Sequence, residues 1–137
     1  MTLLYQASCV AVAGRGLMIA GPPGSGKSSL ALALIDRGAV LVGDDGVSLT
    51  MRDSALWADP PPNTAGLIEV RNVGLVRFPS CSAPVALLLR LDTAAPRHVE
   101  QVDRLDILDT AIPSLTFDPR IAGGAIRAEL ALRRHGA

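Results

Sequence analysis

Apolar residues along this chain occur in short runs that end at glycine or at charged residues. Residues 17–20 form an apolar run of strand length, and residues 28–37 show a helical pattern with leucine and alanine on most of the circumference. We expect such a helix to pack between layers, and Gly38 just after it suits a left-handed helix stop. Residues 39–43 form a second apolar run, which is typical of a strand buried on both faces. The pattern predicts strand, helix and strand in direct succession.

Alternating apolar and polar residues predict further strands around this unit. Residues 3–13 lead into residues 14–16 (Gly-Arg-Gly), a turn signal, so we expect a β-hairpin that continues into the 17–20 strand. The polar, proline-rich residues 51–66 are predicted to form an exposed loop anchored by Trp57, either a lid or a connector. The other predictions are strands at 47–51, 67–76, 85–91 and 112–117, an irregular charged stretch at 92–109, and a helix at 122–134.

The length and composition fit one folded unit. Domains commonly contain roughly 100 to 150 residues, and this chain has 137. Its hydrophobic fraction of 49% is ample for a core, and a chain of this size buries roughly two-thirds of its unfolded surface. We therefore predict a single α/β domain over residues 1–137, with a mixed, partly antiparallel sheet and flanking helices.

The charge balance and the lengths of the apolar runs argue against nucleic acid and membranes as partners. The 13 basic and 13 acidic residues cancel, so no global field attracts nucleic acid or acidic lipid. No apolar run approaches the roughly 20 residues of a membrane span, and the first residues lack the basic region of a secretory signal. Cys9 and Cys81 are expected to be buried free thiols rather than a disulfide. We expect a cytoplasmic protein that binds neither nucleic acid nor membrane.

A glycine-rich loop joins the first apolar strand to the helix, in the pattern Gly, four residues, Gly, Lys and Ser. Its glycines let the backbone fold around a phosphate and direct N–H groups at it. Lys27 brings an ammonium group to the outer phosphates, and the Ser28 hydroxyl is suited to bind Mg²⁺. An accidental Gly/Pro-rich turn is the alternative, and the strand, loop and helix order opposes it. The predicted nucleotide-binding residues are Gly21, Pro22, Pro23, Gly24, Ser25, Gly26, Lys27 and Ser28.

Two aspartates follow the second apolar run directly. At the carboxyl end of a central strand beside a phosphate loop, Asp44 and Asp45 can hold Mg²⁺ or its waters, or take a proton from an attacking hydroxyl. The alternative is a simple hairpin turn, because Asp45-Gly46 is a turn signal. The two interpretations are compatible, and the nearby phosphate loop favours the functional one.

Residues 67–76 are predicted to place one acid and one base on a common strand face. Glu69 and Arg71 alternate there with Ile68 and Val70 on the other face. A polar face of this kind is commonly solvated. At the level of a phosphate loop, the same two side chains can instead line a nucleotide cleft.

In this order the motifs resemble the catalytic domain of the HPr kinase/phosphorylase family. The match consists of the phosphate loop, the helix ending at Arg37-Gly38, the strand ending in Asp44-Asp45, and residues 67–74, which look like the family's Leu-Glu-Ile-Arg-Gly-Leu-Gly signature. It covers residues 6–78, and the chain resembles the short alphaproteobacterial form without the separate N-terminal domain of longer members. The resemblance implies a P-loop kinase domain that transfers the γ-phosphoryl group of ATP, with Mg²⁺, to a serine of the phosphocarrier protein HPr and so regulates the phosphotransferase system.

The resemblance also implies roles for individual residues. Asp45 is the first choice for the carboxylate that takes the serine proton, with Asp44 as the alternative, and the same group would act as an acid in the reverse, phosphate-dependent reaction. Longer relatives are hexamers, so self-association is implied as well. The remaining implied roles are phosphate contact for Lys27, Mg²⁺ binding for Ser28, Asp44 and Glu69, and shaping of the acceptor side for Arg71 with the turn at 72–74.

Three features depart from the family pattern. Gln6 stands 21 residues before Lys27, where the family usually has a histidine that assists the aspartate. Glutamine does not change charge near neutral pH, so it cannot share the proton. Ser29 replaces a commonly acidic residue, and the basic C-terminal elements used in phosphorolysis have only Arg120 and Arg127 as nearest candidates. We expect phosphorolysis to be weak or lost while ATP binding is retained.

Two other function classes remain open on the sequence alone. A small-molecule kinase on the same scaffold needs an acceptor pocket with basic residues, which the sequence does not show. A regulatory nucleotide-binding module without turnover is made plausible by Gln6. Phosphate transfer by the wild type against Lys27→Ala and Asp45→Asn distinguishes these alternatives.

Overall fold

Nine of the eleven strands form one sheet, and both helices pack against it. The computed structural model describes residues 1–137 throughout. The strands are β1 (Thr2–Tyr5), β2 (Ser8–Val12), β3 (Arg15–Ala20), β4 (Val40–Gly43), β5 (Val47–Arg52), β6 (Ala55–Asp59), β7 (Leu67–Val70), β8 (Gly74–Arg77), β9 (Ala83–Leu91), β10 (Asp103–Ile107) and β11 (Thr110–Phe117). The helices are α1 (Lys27–Asp36) and α2 (Gly124–His135). β7 and β8 form a separate two-stranded ribbon.

The sheet is mixed and mostly antiparallel. β3 runs parallel to β9, and β11 runs parallel to the last residues of β9. The other strand pairs are antiparallel, and the order is β1-β5-β6-β9-β3-β2-β4 with β10 beside β11. These pairings confirm the predicted α/β class, and they place the phosphate loop at the carboxyl end of a strand with neighbours on both sides.

Apolar side chains are buried on both faces of this sheet. On one face, Leu17 and Ile19 of β3 belong to a cluster that includes residues of both helices. On the other face, Met18 of the same strand belongs to a cluster without helical residues, which includes Leu49 of β5 and Leu56 of β6. The sheet therefore curls so that its own outer strands cover the face that has no helix. β3, which contributes side chains to both clusters, leads directly into the phosphate loop.

α1 is buried on one side only. Leu30 and Leu34 are buried in the cluster under the sheet, and α2 lies beside the helix. Ala33 is exposed, so the expectation of packing between layers holds only for the sides that face the sheet and α2. Gly38 ends the helix as predicted, with a φ of 110° and an N–H that donates to the Ile35 carbonyl at 2.9 Å.

β4 is buried on both faces but is not a central strand. Leu41 belongs to the helix-side cluster and Val42 to the opposite one, as predicted. However, β4 is the last strand in the order and pairs with β2 alone, apart from an isolated bridge between Leu41 and Ser80. Because β4 and β3 are both antiparallel to β2, β4 runs in the same direction as β3. Its carboxyl end therefore still lies on the side of the phosphate loop.

Two stretches predicted to be irregular contain strands. The 51–66 stretch contains β6, which forms a hairpin with β5 through Asp53 and Ser54, both with positive φ. Leu56 and Ala58 alternate toward the core and hold this strand in place. The 92–109 stretch contains β10, which pairs with β11. Neither prediction of an unstructured segment was right over its full length.

Two turns differ from the predicted ones. The 67–76 strand is in fact the two strands β7 and β8, joined by a turn in which Asn72 has a φ of 67°. The β2–β3 hairpin turns at Ala13 and Gly14, with φ of 50° and 81°, and residues 15 and 16 already belong to β3. Positive φ at two successive residues matches the right-handed twist of a two-stranded hairpin.

The cysteines are free, as predicted. Cys9 is buried and Cys81 is half-buried. Burial, reinforced by the nearby Cys81 sulfur, raises the pKa of the Cys9 thiol far above its ordinary value, so Cys9 stays protonated. None of the helices is long and apolar enough to cross a membrane.

Candidate functional site

The phosphate loop wraps around the ammonium group of Lys27. Lys27 Nζ donates hydrogen bonds to the carbonyl oxygens of Gly21 at 2.8 Å and Pro22 at 3.2 Å. Gly24 and Gly26 have φ of 79° and 104°, in the left-handed region that glycine adopts at little cost. α1 begins at Lys27, and the N–H groups of a first helical turn have no intrahelical partners. The loop thus has the form of an anion site at a helix N-terminus.

Lys27 retains a donor for a ligand. An ammonium group has three N–H donors, and the two loop carbonyls use two of them. Its Nζ also lies 3.9 Å from Asp45 Oδ1. The lysine is only 8% exposed, whereas the Asp45 side chain is 66% exposed. An exposed carboxylate therefore faces a buried cation across the mouth of the loop.

Asp44 is held by two serine hydroxyls. Its Oδ1 accepts hydrogen bonds from Ser28 Oγ at 2.7 Å and from Ser8 Oγ at 3.1 Å. Because Ser28 donates its single proton to Asp44, the lone pairs of the Ser28 oxygen remain available to a cation. The structure brings together the predicted metal-binding serine and one of the two predicted acids.

Asp45 sits in a tight turn that the sequence explains. Its φ is 59°, which Asp tolerates better than most residues. A Cβ on Gly43 would overlap the Gly46 carbonyl oxygen and lie 2.8 Å from Val47 Cγ1, so only glycine fits at the start of the turn. The turn directs consecutive carboxylates differently, with Asp44 toward the serines and Asp45 toward Lys27. The turn is present, but the predicted hairpin was wrong, because β4 pairs with β2 while β5 pairs with β1 and β6. The functional interpretation of the two aspartates stays a prediction.

Ser8 belongs to this arrangement, although no sequence pattern marks it. It is fully buried in β2, where its Oγ donates to Asp44 and accepts a hydrogen bond from the Asp45 backbone N–H at 3.2 Å. One hydroxyl thus fixes the side chain of one aspartate and the backbone of the next. A lone serine in an alternating strand resembles any other strand residue, and only the pairing of β2 with β4 makes its position meaningful.

A cavity of about 990 Å³ lies in front of the loop. Its walls are the first turn of α1, the Asp44-Asp45 turn and the β7–β8 ribbon. Among the predicted site residues, the loop residues Gly21, Pro22, Pro23 and Ser25 do not line it. Those that do line it are Gly24, Gly26, Lys27, Ser28, Asp44, Asp45, Glu69 and Arg71.

Glu69 and Arg71 both reach this cavity, but not from one strand face. Glu69 lies on β7, while Arg71 begins the turn toward β8, so the predicted sharing of a strand face was wrong. Both residues are exposed, and neither forms an ion pair with another residue of the chain. The turn residues 72–74 complete the same wall.

The donor set around the cavity suits Mg²⁺. Mg²⁺ prefers oxygen ligands and commonly uses one or two carboxylates together with substrate phosphates. Ser28 and Asp44 offer adjacent oxygen atoms, and Glu69 lines the same cavity. No group of three or more His, Cys, Asp and Glu side chains is placed to form a metal cage. The residues therefore fit a cation bound jointly with a nucleotide rather than by the protein alone.

Gln6 does not belong to the cavity wall. It is exposed in the connection between β1 and β2, two residues before Ser8. It does not line the cavity and has no hydrogen bond to Asp44 or Asp45. His98 is exposed and also lies outside the cavity wall. The cavity therefore contains no group of histidine type to exchange a proton with either aspartate.

Comparison with known proteins supports a family assignment. Residues 2–116 match the sequence profile described as HPr Serine kinase C-terminal domain. The HPr kinase/phosphorylase of Clostridium novyi (strain NT) is 34% identical over 124 residues, covering 81% of this chain and 40% of that protein. The HPr kinase/phosphorylase of Clostridium acetobutylicum is 42% identical over 117 residues, covering 81% and 38%. This chain thus spans about two fifths of the length of these curated relatives.

A solved structure shows the same fold. The Hpr(Ser) kinase/phosphatase from Coxiella burnetii superposes with a TM-score of 0.84, over 96% of this chain and 94% of that chain, at 24% identity. The phosphate loop, the aspartate turn and the β7–β8 ribbon all lie within the matched residues 2–116. As the order of its motifs predicted, the chain belongs to the HPr Serine kinase C-terminal domain family.

Proposed function

We propose that this chain transfers the γ-phosphoryl group of ATP to a serine hydroxyl of the phosphocarrier protein HPr. Family membership supports this proposal, as do curated relatives named HPr kinase/phosphorylase. We further propose that residues 1–137 act as one catalytic domain in the cytoplasm, with self-association a prediction from the resemblance alone. The substrate surface is proposed to be the open side of the cavity, beside the β7–β8 ribbon.

One observation carries the proposal. The Asp45 carboxylate lies 3.9 Å from Lys27 Nζ and is 66% exposed, while Lys27 also holds the phosphate loop. An outer phosphate bound by Lys27 is therefore next to a carboxylate that an incoming hydroxyl can reach. A general base must lie within hydrogen-bond reach of the proton that it removes, and Asp45 is the acid placed for that task.

The transfer step follows from these positions. The serine oxygen of HPr forms a bond to the γ-phosphorus while the bond from that phosphorus to the β,γ-bridging oxygen breaks, so ADP leaves. Asp45 accepts the proton of the serine hydroxyl, and Lys27 stabilises the negative charge of the transferring group. Bound Mg²⁺, held by Ser28 and Asp44 with Glu69 nearby, would neutralise phosphate charge. Arg71 and the turn beside it are proposed to orient the acceptor.

The reverse reaction is proposed to be weak or lost. Phosphorolysis requires an acid that gives a proton back to the leaving serine oxygen, and a neighbouring histidine would hold that proton at neutral pH. Gln6 stands at the corresponding position and cannot do so. Release of pyrophosphate from phosphorylated HPr and phosphate, at a rate comparable to the forward reaction, would contradict this expectation.

The test is transfer of labelled γ-phosphate to HPr by the purified chain. We expect label on HPr, none on its serine-to-alanine variant, and loss of labelling with Lys27→Ala and Asp45→Asn. Equal labelling of the serine-to-alanine variant would refute the assigned acceptor.

A nucleotide-binding module without turnover is the second candidate, and the exposed Gln6 outside the cavity wall favours it. Binding of Mg-ATP by the wild type without any labelled HPr would support that candidate against the kinase. Labelling of a metabolite instead of HPr would indicate a small-molecule kinase.

A further inference from the structure

A second cavity, of about 310 Å³, lies on the other side of the phosphate loop. Ser25, Gly26 and Ser29 line it on the loop side, and Pro119 and Arg120 line it from the segment after β11. Gly26 and Ser29 also line the larger cavity that contains the acids. The two cavities therefore meet at the loop and the first turn of α1.

This arrangement offers a path for a nucleotide held by the loop. Asp45, the proposed base, lies in the larger cavity, so the outermost phosphate must lie on that side. The inner phosphates and the nucleoside can then extend past Gly26 and Ser29, which line both cavities. The second cavity lies on this path, beside the carboxyl ends of the parallel strands β3, β9 and β11, where ligands of open α/β sheets commonly bind.

The wall opposite the loop carries a planar cation, the Arg120 guanidinium, that is paired with Asp118. The Arg120 guanidinium donates to both carboxylate oxygens of Asp118 at 3.2 Å, and the Arg120 backbone N–H donates to Asp118 Oδ1 at 2.9 Å. The Arg120 side chain is nevertheless 68% exposed, while Asp118 is 9% exposed. Pro119 packs against the loop, 3.8 Å from where a Gly26 Cβ would be. The guanidinium is thus paired with Asp118 beside the phosphate loop and is largely exposed.

We propose that the second cavity binds the nucleoside part of the nucleotide, with the Arg120 guanidinium stacked on the base. A guanidinium plane suits this contact because it stacks on aromatic faces. Leu30, Ala33 and Ala125 supply apolar walls, and the buried Ser25 hydroxyl has no hydrogen-bond partner within the chain. The inference rests on the proposed function, because it requires a nucleotide in the loop.

The experiment compares two ligands that share their phosphates and differ in the nucleoside. Dissociation constants of Mg-ADP and Mg-pyrophosphate are measured by calorimetry for the wild type, Arg120→Ala and Arg120→Lys. We expect Arg120→Ala to weaken Mg-ADP roughly tenfold, the size of one cation–π contact, and to leave Mg-pyrophosphate within about twofold. Arg120→Lys keeps the charge without the plane and should also weaken Mg-ADP. Arg104→Ala, an exposed arginine on β10 away from both cavities, is the matched control and should change neither ligand.

Two outcomes overturn the inference alone. The first is an Mg-ADP affinity that does not change in Arg120→Ala. The second is an equal loss of affinity for Mg-ADP and Mg-pyrophosphate in that variant. Both outcomes count only if the wild type binds the two ligands and Lys27→Ala does not. If the wild type binds neither ligand, the proposed nucleotide function fails, and the inference fails with it. Thermal unfolding of each variant shows whether a loss of affinity reflects a loss of folding instead, and a folded Arg120→Lys variant keeps the test decisive if Arg120→Ala does not fold.

Discussion

The neighbouring residues Asp44 and Asp45 have different surroundings, which suit them to different roles in the proposed reaction. Asp44 accepts hydrogen bonds from two hydroxyls, one of which belongs to the proposed cation ligand Ser28. Asp45 has an exposed carboxylate directed toward Lys27. A carboxylate fixed by donors is suited to hold a cation, whereas an accessible one can receive a proton.

The two aspartates should therefore respond differently to amide substitution. Asp45→Asn should lower kcat for HPr phosphorylation by about 100-fold or more, the typical contribution of general-base catalysis, with Mg-ATP affinity nearly unchanged. Asp44→Asn should instead raise the Mg²⁺ concentration needed for half-maximal rate. Steady-state kinetics across an Mg²⁺ titration measures both effects, and the reverse pattern would exchange the two roles.

Ser8 should be a positioning residue for both aspartates. Ser8→Ala removes a buried hydroxyl that donates to Asp44 and accepts from the Asp45 N–H, so the free energy of unfolding should fall by about 1 to 3 kcal/mol. The half-saturating Mg²⁺ concentration should rise as well, because Asp44 loses a partner. Ser48→Ala is the control, since Ser48 is also buried in the sheet but has no hydrogen bond to either aspartate. An unchanged Mg²⁺ dependence in a folded Ser8→Ala variant would leave Ser8 a purely structural residue.

At the scale of elements, the turn between β4 and β5 depends on one glycine. Gly43→Ala should destabilise the fold by about 1 to 3 kcal/mol, because its Cβ would overlap the Gly46 carbonyl oxygen in a well-packed turn. Gly46→Ala is the matched control, since a Cβ there meets nothing within 4 Å, and it should change stability by less than about 0.5 kcal/mol. Urea unfolding of both variants tests this pair, and equal effects would contradict the steric explanation.

The segment from β11 to α2 should make stability depend on acid pH. Hydrogen bonds from the Arg120 side chain and backbone hold the pKa of Asp118 below its ordinary value. Because the pKa of Asp118 is lower in the folded chain than in the unfolded chain, its charged form stabilises the fold at pH values above the unfolded pKa of about 3.9. This stabilisation is lost as the pH falls from there through the folded pKa. Urea unfolding between pH 6 and pH 3 should show a shallower acid loss for Asp118→Asn than for the wild type. Parallel curves would show that this carboxylate does not link protonation to folding.

Much of this element order could be predicted from the sequence, and the exceptions share a physical cause. Apolar runs marked β3, α1 and β4 because both sides of each strand and the inner side of the helix are buried. β6 and β10 were missed because few of their residues face the core: Leu56 and Ala58 hold β6, and Ile107 is the only fully buried residue of β10. These two segments are strands because they pair with neighbouring strands in the folded sheet, and that pairing produces no local pattern in the sequence.

The candidate site was predictable where backbone geometry requires particular residue types. The glycines of the loop, Lys27 and the aspartate turn were identified because a phosphate cradle and a sharp turn tolerate few alternatives. Ser8 was not identified, since it acts through the neighbour that β2 acquires only in the folded sheet. The edge position of β4 was missed for the same reason, because edge and centre are properties of the assembled sheet.

At the scale of the whole molecule, the loop is joined to a strand that contributes to both apolar clusters. Leu17 and Ile19 of β3 face one cluster and Met18 faces the other. A ligand that binds the loop should therefore stabilise the whole fold. At a Mg-ADP concentration 100 times its dissociation constant, the free energy of unfolding should rise by about 2.7 kcal/mol. A concentration-dependent rise in Tm that is absent in Lys27→Ala would support this linkage, and a ligand-independent Tm would contradict it.

The two hydrogen bonds from Lys27 to the Gly21 and Pro22 carbonyls have a consequence for affinity. They hold the loop in a closed shape before any ligand arrives, so the conformational entropy of the loop is lost during folding and not during binding. Preorganisation of this kind favours tight binding. It also means that Lys27→Ala removes a restraint together with a charge. Calorimetry of the wild type should accordingly show Mg-pyrophosphate binding without a large unfavourable entropy from loop ordering.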